Sequence, residues 1–113
     1  QMCGSCANEN AMKQVYIAVA NARRAATGLA GPTAEELESS MVNRSPGAKP
    51  YKIMSFHGAF HGRTHGCLSI THSKPIHKLD VPAYDWPIAP FPKLVYPLAD
   101  NVDANAAEEV SLF

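Results

Sequence analysis

The sequence predicts an α/β fold in which helices flank a parallel-rich sheet. Apolar residues recur at three- and four-residue spacing between positions 11 and 22, as on one face of a helix. Residues 51–56 form an apolar run of strand length, and a turn and a second helical stretch, residues 64–71, follow it. A strand between two helices is typical of an α/β unit, whose strands usually pair in parallel.

The first two helices are delimited by capping signals. Ser5 is expected to cap the first helix, with Glu9 in its first turns, and Gly28 is expected to stop it. Thr33 and Glu36 have the spacing of a capping box and begin a shorter helix that is predicted to run to about residue 42. The apolar stripe of the first helix consists of Ala11, Met12, Val15, Ala18, Val19 and Ala22.

Residues 73–98, the Pro-rich segment, differ in composition from the rest of the chain. Six prolines lie between positions 75 and 97, which excludes a central strand, while Tyr84, Trp86 and Phe91 need burial. Two interpretations stay open: a long connection packed by its own side chains, or a segment that covers a neighbouring subunit. Residues 102–113 then begin another helix.

The composition limits the classes of function. The 113 residues are 46% hydrophobic, and ten basic and ten acidic residues cancel. Nothing therefore indicates a nucleic-acid surface, and no apolar stretch reaches the ~18 residues that a membrane helix needs. We expect a single domain over residues 1–113, without nucleic-acid or membrane partners.

The turn after the predicted strand, residues 55–64, contains side chains that are suited to binding a small ligand. Phe60 offers a flat face for stacking, and Arg63 offers a planar fork for a carboxylate or phosphate. Ligands often bind where strands of an α/β sheet end. An ordinary Gly-rich turn with a solvated arginine explains the same residues, however. At the start of the first helix, Gly4 and Ser5 could present N–H groups to a phosphate, although most capped helices bind no anion.

Three separated blocks weigh against the ordinary turn. The chain resembles the 4-aminobutyrate aminotransferase family, which belongs to the class-III pyridoxal-phosphate-dependent aminotransferases. The resemblance runs from position 3 to about 98 and implies a fold-type I architecture. It further implies that this chain is a fragment of the large cofactor-binding domain of a much longer enzyme. Of the two interpretations of the Pro-rich segment, the resemblance favours the one in which it covers a neighbouring subunit. The blocks are residues 3–13 (CGSCANENAMK), 56–64 (FHGAFHGRT) and 85–92 (DWPIAPFP), joined by the similar 71–74 (THSK) and 76–78 (IHK).

The resemblance also implies roles for single residues. In the family, a Gly-Ser pair holds the phosphate of pyridoxal phosphate, which carries to Gly4 and Ser5. The aromatic before His-Gly stacks on the pyridine ring, which carries to Phe60, with His61 as a supporting residue. The next arginine, here Arg63, binds the substrate carboxylate. The implied reaction transfers the amino group of 4-aminobutyrate to 2-oxoglutarate and gives succinic semialdehyde and glutamate.

The resemblance accounts for only half of an active site. In the family, the Schiff-base lysine and the aspartate that pairs with the pyridine nitrogen come from later sequence. We therefore expect no catalytic residue in this chain and no activity from it alone. A related ω-amino donor such as β-alanine stays open, as does the compartment, mitochondrial matrix or cytoplasmic. The lysines that match no Schiff-base motif are Lys13, Lys49, Lys52, Lys74, Lys78 and Lys93.

Cys3 and Cys6 form a C-x-x-C pair, which supplies half of a four-thiolate site. Animal members of the family carry a [2Fe–2S] cluster at the interface of a homodimer, and the resemblance implies these two cysteines as ligands. Two buried structural thiols are the alternative. Cys67, alone in a predicted helix, is expected in the core.

Two other classes of function are weaker. A zinc-binding module would need a helix across the histidine-rich turn, and Gly58 and Gly62 disfavour it. A non-enzymatic interaction module could be built on the Pro-rich segment. The candidate zinc ligands are Cys3, Cys6, His57, His61 and His65.

Overall fold

The structure, a computed structural model, describes residues 2–112 of the chain. The predicted domain, residues 1–113, thus extends one residue beyond the described part at each end. Short 3₁₀ turns cover Pro75–His77 and Leu98–Asp100. The helices and strands are α1 (Gly4–Ala26), α2 (Ala34–Ser40), β1 (Ser55–Phe56), α3 (His65–Leu68), β2 (Ile88–Ala89) and α4 (Val102–Leu112).

Helix α1 ends as predicted and begins differently. Gly28, at φ +81°, follows the helix, and the N–H of Leu29 donates to the Arg24 carbonyl, which closes a Schellman motif. At the other end Cys3 is the N-cap residue and makes no side-chain capping bond. The expectation that Ser5 caps this helix is therefore wrong. Ser5 lies within the first turn, and its hydroxyl bonds to a distant loop instead.

The predicted apolar stripe of α1 is mostly uncovered by residues 2–112. Ala20 is the buried residue of this helix, whereas Val15 remains 57% exposed. The radius of gyration is 18.9 Å, compared with roughly 13 Å for a compact chain of this length. The chain is thus elongated, and its buried apolar residues are few. They are Ala20, Cys67, Leu68 and Ile70, so the expectation that Cys67 lies in the core is confirmed.

Helix α2 begins with the predicted capping box. The Thr33 hydroxyl accepts the N–H of Glu36, and the Glu36 carboxylate accepts the N–H of Thr33. The helix ends at Ser40, two residues before the predicted boundary, in a turn. Glu36 is also buried, which the sequence did not indicate: its carboxylate lies 2.8 Å from Arg24 and 2.7 Å from Lys49.

The predicted α/β arrangement with parallel strands is confirmed, on a smaller scale than expected. Of residues 51–56, only β1 pairs, and its parallel partner β2 lies inside the Pro-rich segment. The N–H groups of Ser55 and His57 donate to the carbonyls of Pro87 and Ala89. A proline lacks the N–H donor but keeps its carbonyl acceptor, so a prolyl carbonyl can join a ladder in which the other strand donates.

Much of the Pro-rich segment packs through its aromatic rings. Tyr84 stacks on Trp86 at 4.7 Å between centroids, and Phe91 meets Phe56 edge-on at 5.3 Å. Trp86 also lies 6.5 Å from Tyr16 of α1. Tyr84 and Phe91 nevertheless remain 56% and 61% exposed, so the expectation that they are buried is not met within residues 2–112. Both interpretations of the segment stay predictions.

The last two helices are both close to prediction. Thr64 is the N-cap residue of α3, which ends at Leu68, three residues before the predicted end. Helix α4 begins at Val102 as expected, and the last residue of that predicted helix, Phe113, lies outside the described residues. None of the helices within residues 2–112 is long and apolar enough to span a membrane.

Glu36 provides a test of the packing between α1 and α2. The Arg24 and Lys49 side chains hold the pKa of this carboxyl well below its usual value. Because the folded pKa is lowered, the stabilisation is complete above the unfolded pKa of about 4.5 and is lost as the pH falls through the folded value. We expect Glu36→Gln in the full-length protein to lower the unfolding midpoint by a few degrees at neutral pH, with a smaller deficit near pH 3.

Thermal unfolding followed by circular dichroism measures this difference. Glu35→Gln, on the neighbouring exposed side chain, is the matched control and should leave the midpoint unchanged. A Glu36→Gln deficit that stays constant across the acid range would contradict the assignment.

Candidate functional site

The start of α1 meets the loop after β1, residues 57–64, which we call the site loop. The Ser5 hydroxyl accepts the backbone N–H of Arg63 at 3.4 Å, and the Asn8 amide donates to the His61 carbonyl at 2.7 Å. Two groups of predicted site residues, more than 50 positions apart, are therefore brought together. The side chain of Ser5 and the backbone of Arg63 are therefore in direct contact.

Gly62 permits this contact. It is buried and has φ +123°, a conformation that side-chain-bearing residues rarely adopt. A methyl group on its α-carbon would overlap the hydroxyl and Cβ of Ser5. Any larger residue would therefore push the site loop away from the start of α1.

Glu9 of α1 holds the far end of the site loop. Its carboxylate accepts the Thr64 hydroxyl at 2.6 Å and the Cys67 N–H at 2.8 Å, so a side chain of α1 caps α3. Burial opposes ionisation, but these bonds outweigh it and hold the pKa of Glu9 below its ordinary value. Glu9 is thus a charged anchor, contrary to the expectation that it serves the first turns of its own helix.

Thr71 holds the middle of the loop from the other side. Its hydroxyl accepts the His61 N–H at 3.1 Å and donates to the Gly62 carbonyl at 2.8 Å. Its side chain is fully buried. Of the three peptide groups between Phe60 and Arg63, the first and the last are therefore bonded to a single side chain.

The side chains of the site loop differ in exposure. Phe60 is 51% exposed and meets the His77 ring edge-on at 5.2 Å. Arg63 is exposed, and the ion pairs among residues 2–112 do not include it. His61 is half-buried. The loop thus presents an aromatic face and a guanidinium to solvent from a fixed backbone.

A second network lies behind the loop and is centred on His72. Lys78 donates to the Leu68 and Thr71 carbonyls at 2.7 and 2.9 Å, and its Nζ lies 3.4 Å from His72 Nδ1. An ammonium can only donate, so Nδ1 is the acceptor in a hydrogen bond with Lys78, and His72 Nε2 lies 2.8 Å from the Ser55 hydroxyl. Burial, then the Lys78 charge, lowers the pKa of His72.

Cys3 and Cys6 lie together at the start of α1, with their sulfur atoms 3.4 Å apart. The backbone N–H and the thiol of Cys6 lower the pKa of Cys3, while the bond to Cys3 raises the pKa of Cys6. Cys3 is exposed and Cys6 is half-buried, so they are not a pair of core thiols. Within residues 2–112, no three His, Cys, Asp or Glu side chains converge as a metal site, so the cluster needed by a zinc module is not found there.

Sequence reasoning missed the residues that support the loop. Asn8 and Glu9 follow Ser5 by three and four positions, which places all three on one face of a helix. That spacing was a usable signal for a surface that contacts something polar. Thr71 carries no comparable signal, because its partners are backbone groups.

The chain is similar in sequence to proteins of a known family. The sequence profile of the aminotransferase class-III family matches residues 1–112. The mitochondrial 4-aminobutyrate aminotransferase of Rattus norvegicus is 57% identical over 107 residues, and that of Homo sapiens is 55% identical. Each alignment covers 95% of this chain and 21% of the relative. The 4-aminobutyrate aminotransferase of Emericella nidulans is 51% identical over 112 residues, covering 96% of this chain and 22% of the relative.

The fold is similar to that of solved structures as well. A mutant of M. tuberculosis Rv3290c superposes with a TM-score of 0.56 at 28% identity, over 97% of this chain and 21% of the other. The chain thus spans about a fifth of the length of the proteins it matches. With a family profile that covers nearly every residue and an α/β fold that agrees with it, this chain belongs to the class-III aminotransferases.

Proposed function

We propose that the full-length protein is a 4-aminobutyrate:2-oxoglutarate aminotransferase. The observation that carries the proposal is the hydrogen bond from the Arg63 backbone N–H to the Ser5 hydroxyl, which brings the residue predicted to bind the substrate close to the residue predicted to bind the phosphate. The identity of 50% or more to relatives named 4-aminobutyrate aminotransferases supports the choice of donor. This chain would contribute the residues that bind the cofactor phosphate, the aromatic ring that stacks on the cofactor, and the arginine that binds the substrate carboxylate.

The residues present fit pyridoxal phosphate. No side chain caps the start of α1 at Cys3, so the N–H groups of its first turn remain suited to an anion. Gly4 and Ser5 would hold the phosphate there, and the half-exposed ring of Phe60 would stack on the pyridine ring beside His61. When bound, the cofactor supplies the electron sink that allows an amino group to be transferred between substrates.

Arg63 would bind the substrate carboxylate. Its guanidinium is exposed, while its backbone is held by Ser5 and its neighbours by Thr71. In 4-aminobutyrate the amino group and the carboxylate lie at opposite ends. A cation on a fixed backbone therefore sets how far the amine reaches toward the reacting centre.

The chain by itself should not catalyse transamination. Among its lysines, Lys78 is bonded to two carbonyls and Lys49 to Glu36, and neither faces the site loop as a reacting amine would need to. We infer that the reacting lysine and the aspartate for the pyridine nitrogen are supplied by other parts of the full-length enzyme. The mitochondrial names of several relatives favour the mitochondrial matrix over the cytoplasm.

Cys3 and Cys6 would ligate a [2Fe–2S] cluster that is shared across a homodimer. Two thiolates on one tetrahedral metal, with bonds of about 2.3 Å, lie roughly 3.8 Å apart. The observed separation of 3.4 Å is within a few tenths of an ångström of that value. A two-fold axis would bring a second pair and complete the four thiolates.

The choice of amino donor provides the direct test. The purified full-length enzyme should transfer the amino group of 4-aminobutyrate to 2-oxoglutarate, with succinic semialdehyde and glutamate as products that a coupled assay quantifies. β-Alanine is the informative competitor, because it is a shorter ω-amino acid. Activity confined to α-amino groups would refute the proposal, and a preference for β-alanine would correct the donor.

Replacement of Arg63 tests the substrate clamp. Arg63→Lys keeps the charge but loses the planar fork, so we expect kcat/KM for 4-aminobutyrate to fall by roughly ten- to a few hundredfold. Cofactor content and its visible spectrum should stay near normal. Arg44→Lys, on another exposed arginine that lies outside the site loop, is the matched control and should leave kcat/KM unchanged.

Phe60→Ala gives the opposite pattern, since loss of the stacking face should loosen the cofactor as well as slow the reaction. If Arg63→Lys lost the cofactor while the residual holoenzyme bound substrate normally, Arg63 would be a phosphate ligand or a structural residue.

Metal analysis tests the shared cluster. The full-length dimer, purified without oxygen, should contain about two iron and two acid-labile sulfide per dimer. Cys3→Ser or Cys6→Ser should abolish both, whereas Cys67→Ala, on the buried thiol, should leave them. Iron-free protein with four titratable thiols at these positions would leave the pair without this role.

A further inference from the structure

Thr71 has an unusual combination of burial and bonding. It is fully buried, yet both hydrogen-bonding functions of its hydroxyl are used on the site loop, as acceptor from His61 N–H and donor to Gly62 C=O. This N–H and this C=O belong to the first and the last of the three peptide groups that separate Phe60 from Arg63. Without the hydroxyl, a buried donor and a buried acceptor on the loop would lose their partner together.

Thr71 is itself held from behind. Its carbonyl accepts the Lys78 ammonium at 2.9 Å, and the same ammonium bonds the Leu68 carbonyl at the end of α3. The neighbouring His72 N–H donates to the Ala59 carbonyl at 2.7 Å, one residue before Phe60. The backbone on both sides of Thr71 is therefore held by hydrogen bonds, and its hydroxyl is positioned to fix the path of the site loop.

We propose that Thr71 is a positioning residue for substrate recognition: its hydroxyl sets the path of the loop backbone and thereby the place from which Arg63 reaches the carboxylate. Because Thr71 is fully buried, it acts through His61 and Gly62. Without the hydroxyl, the contact between Gly62 and Ser5 becomes weaker, and the Arg63 guanidinium samples a wider range of positions. This role rests on the proposed function of Arg63 as the carboxylate clamp.

The test compares Thr71→Val, which removes the hydroxyl at similar shape, with Thr71→Ser, which keeps it. In the full-length holoenzyme with saturating cofactor, we expect Thr71→Val to raise KM for 4-aminobutyrate about tenfold and to lower kcat less than about threefold, because ground-state binding is weakened most. Thr71→Ser should stay within about twofold of the wild type.

Thr33→Val is the matched control, because it removes a hydroxyl that also bonds a backbone N–H, in the capping box of α2. It should lower the unfolding midpoint and leave KM unchanged. A purely structural role for Thr71 would likewise lower stability and the active fraction but would not move KM. Wild-type KM in Thr71→Val would therefore overturn the proposal.

Hydrogen exchange gives a readout that does not depend on turnover. On a peptide spanning residues 59–63, the His61 amide should exchange about tenfold faster or more in Thr71→Val, with protection restored in Thr71→Ser. Unchanged exchange in Thr71→Val would overturn the positioning of the loop. If the wild-type enzyme uses no ω-amino donor, the proposed function fails, and this exchange contrast still decides whether Thr71 positions the loop.

Discussion

The approach of Gly62 to Ser5 is the constraint on which the rest of the site depends. A helix N-terminus and a loop after a strand can share a ligand only if their backbones come close, and a side chain at position 62 would prevent that. Once the two are in contact, the Ser5 hydroxyl and the Asn8 amide bond to backbone groups of the loop. The other contacts of the loop maintain this distance, and both proposed binding functions require it.

Two glutamates stabilise this arrangement in different ways. The Glu9 carboxylate accepts hydrogen bonds from a hydroxyl and from the N-terminus of α3. The Glu36 carboxylate instead forms ion pairs with Arg24 and Lys49. Both carboxyl groups have a lowered pKa, which indicates that the folded chain favours their ionised forms. Neither points to acid–base chemistry, because a group that stays ionised and fully bonded has no proton to exchange near neutral pH.

The site loop makes several hydrogen bonds although the chain around it buries little apolar surface. Phe60 and Arg63 are exposed, and the apolar stripe of α1 is largely uncovered by residues 2–112. Polar bonds to the backbone, not a large core, hold the loop. Several backbone groups of the loop are bonded to Asn8, Ser5 and Thr71, so the exposed Phe60 ring and Arg63 guanidinium project from a backbone that is held in place.

The sequence by itself determined the helices with strong local signals, because capping and termination depend on neighbours in the chain: the capping box at Thr33 and the stop at Gly28 are both present. It also indicated the family, since motif blocks are local strings. Tertiary structure alone decided that β1 pairs with a strand between two prolines, and that the hydroxyls of Ser5 and Thr71 bond to the site loop. Those outcomes depend on which backbone groups arrive opposite one another, and residue spacing does not encode that.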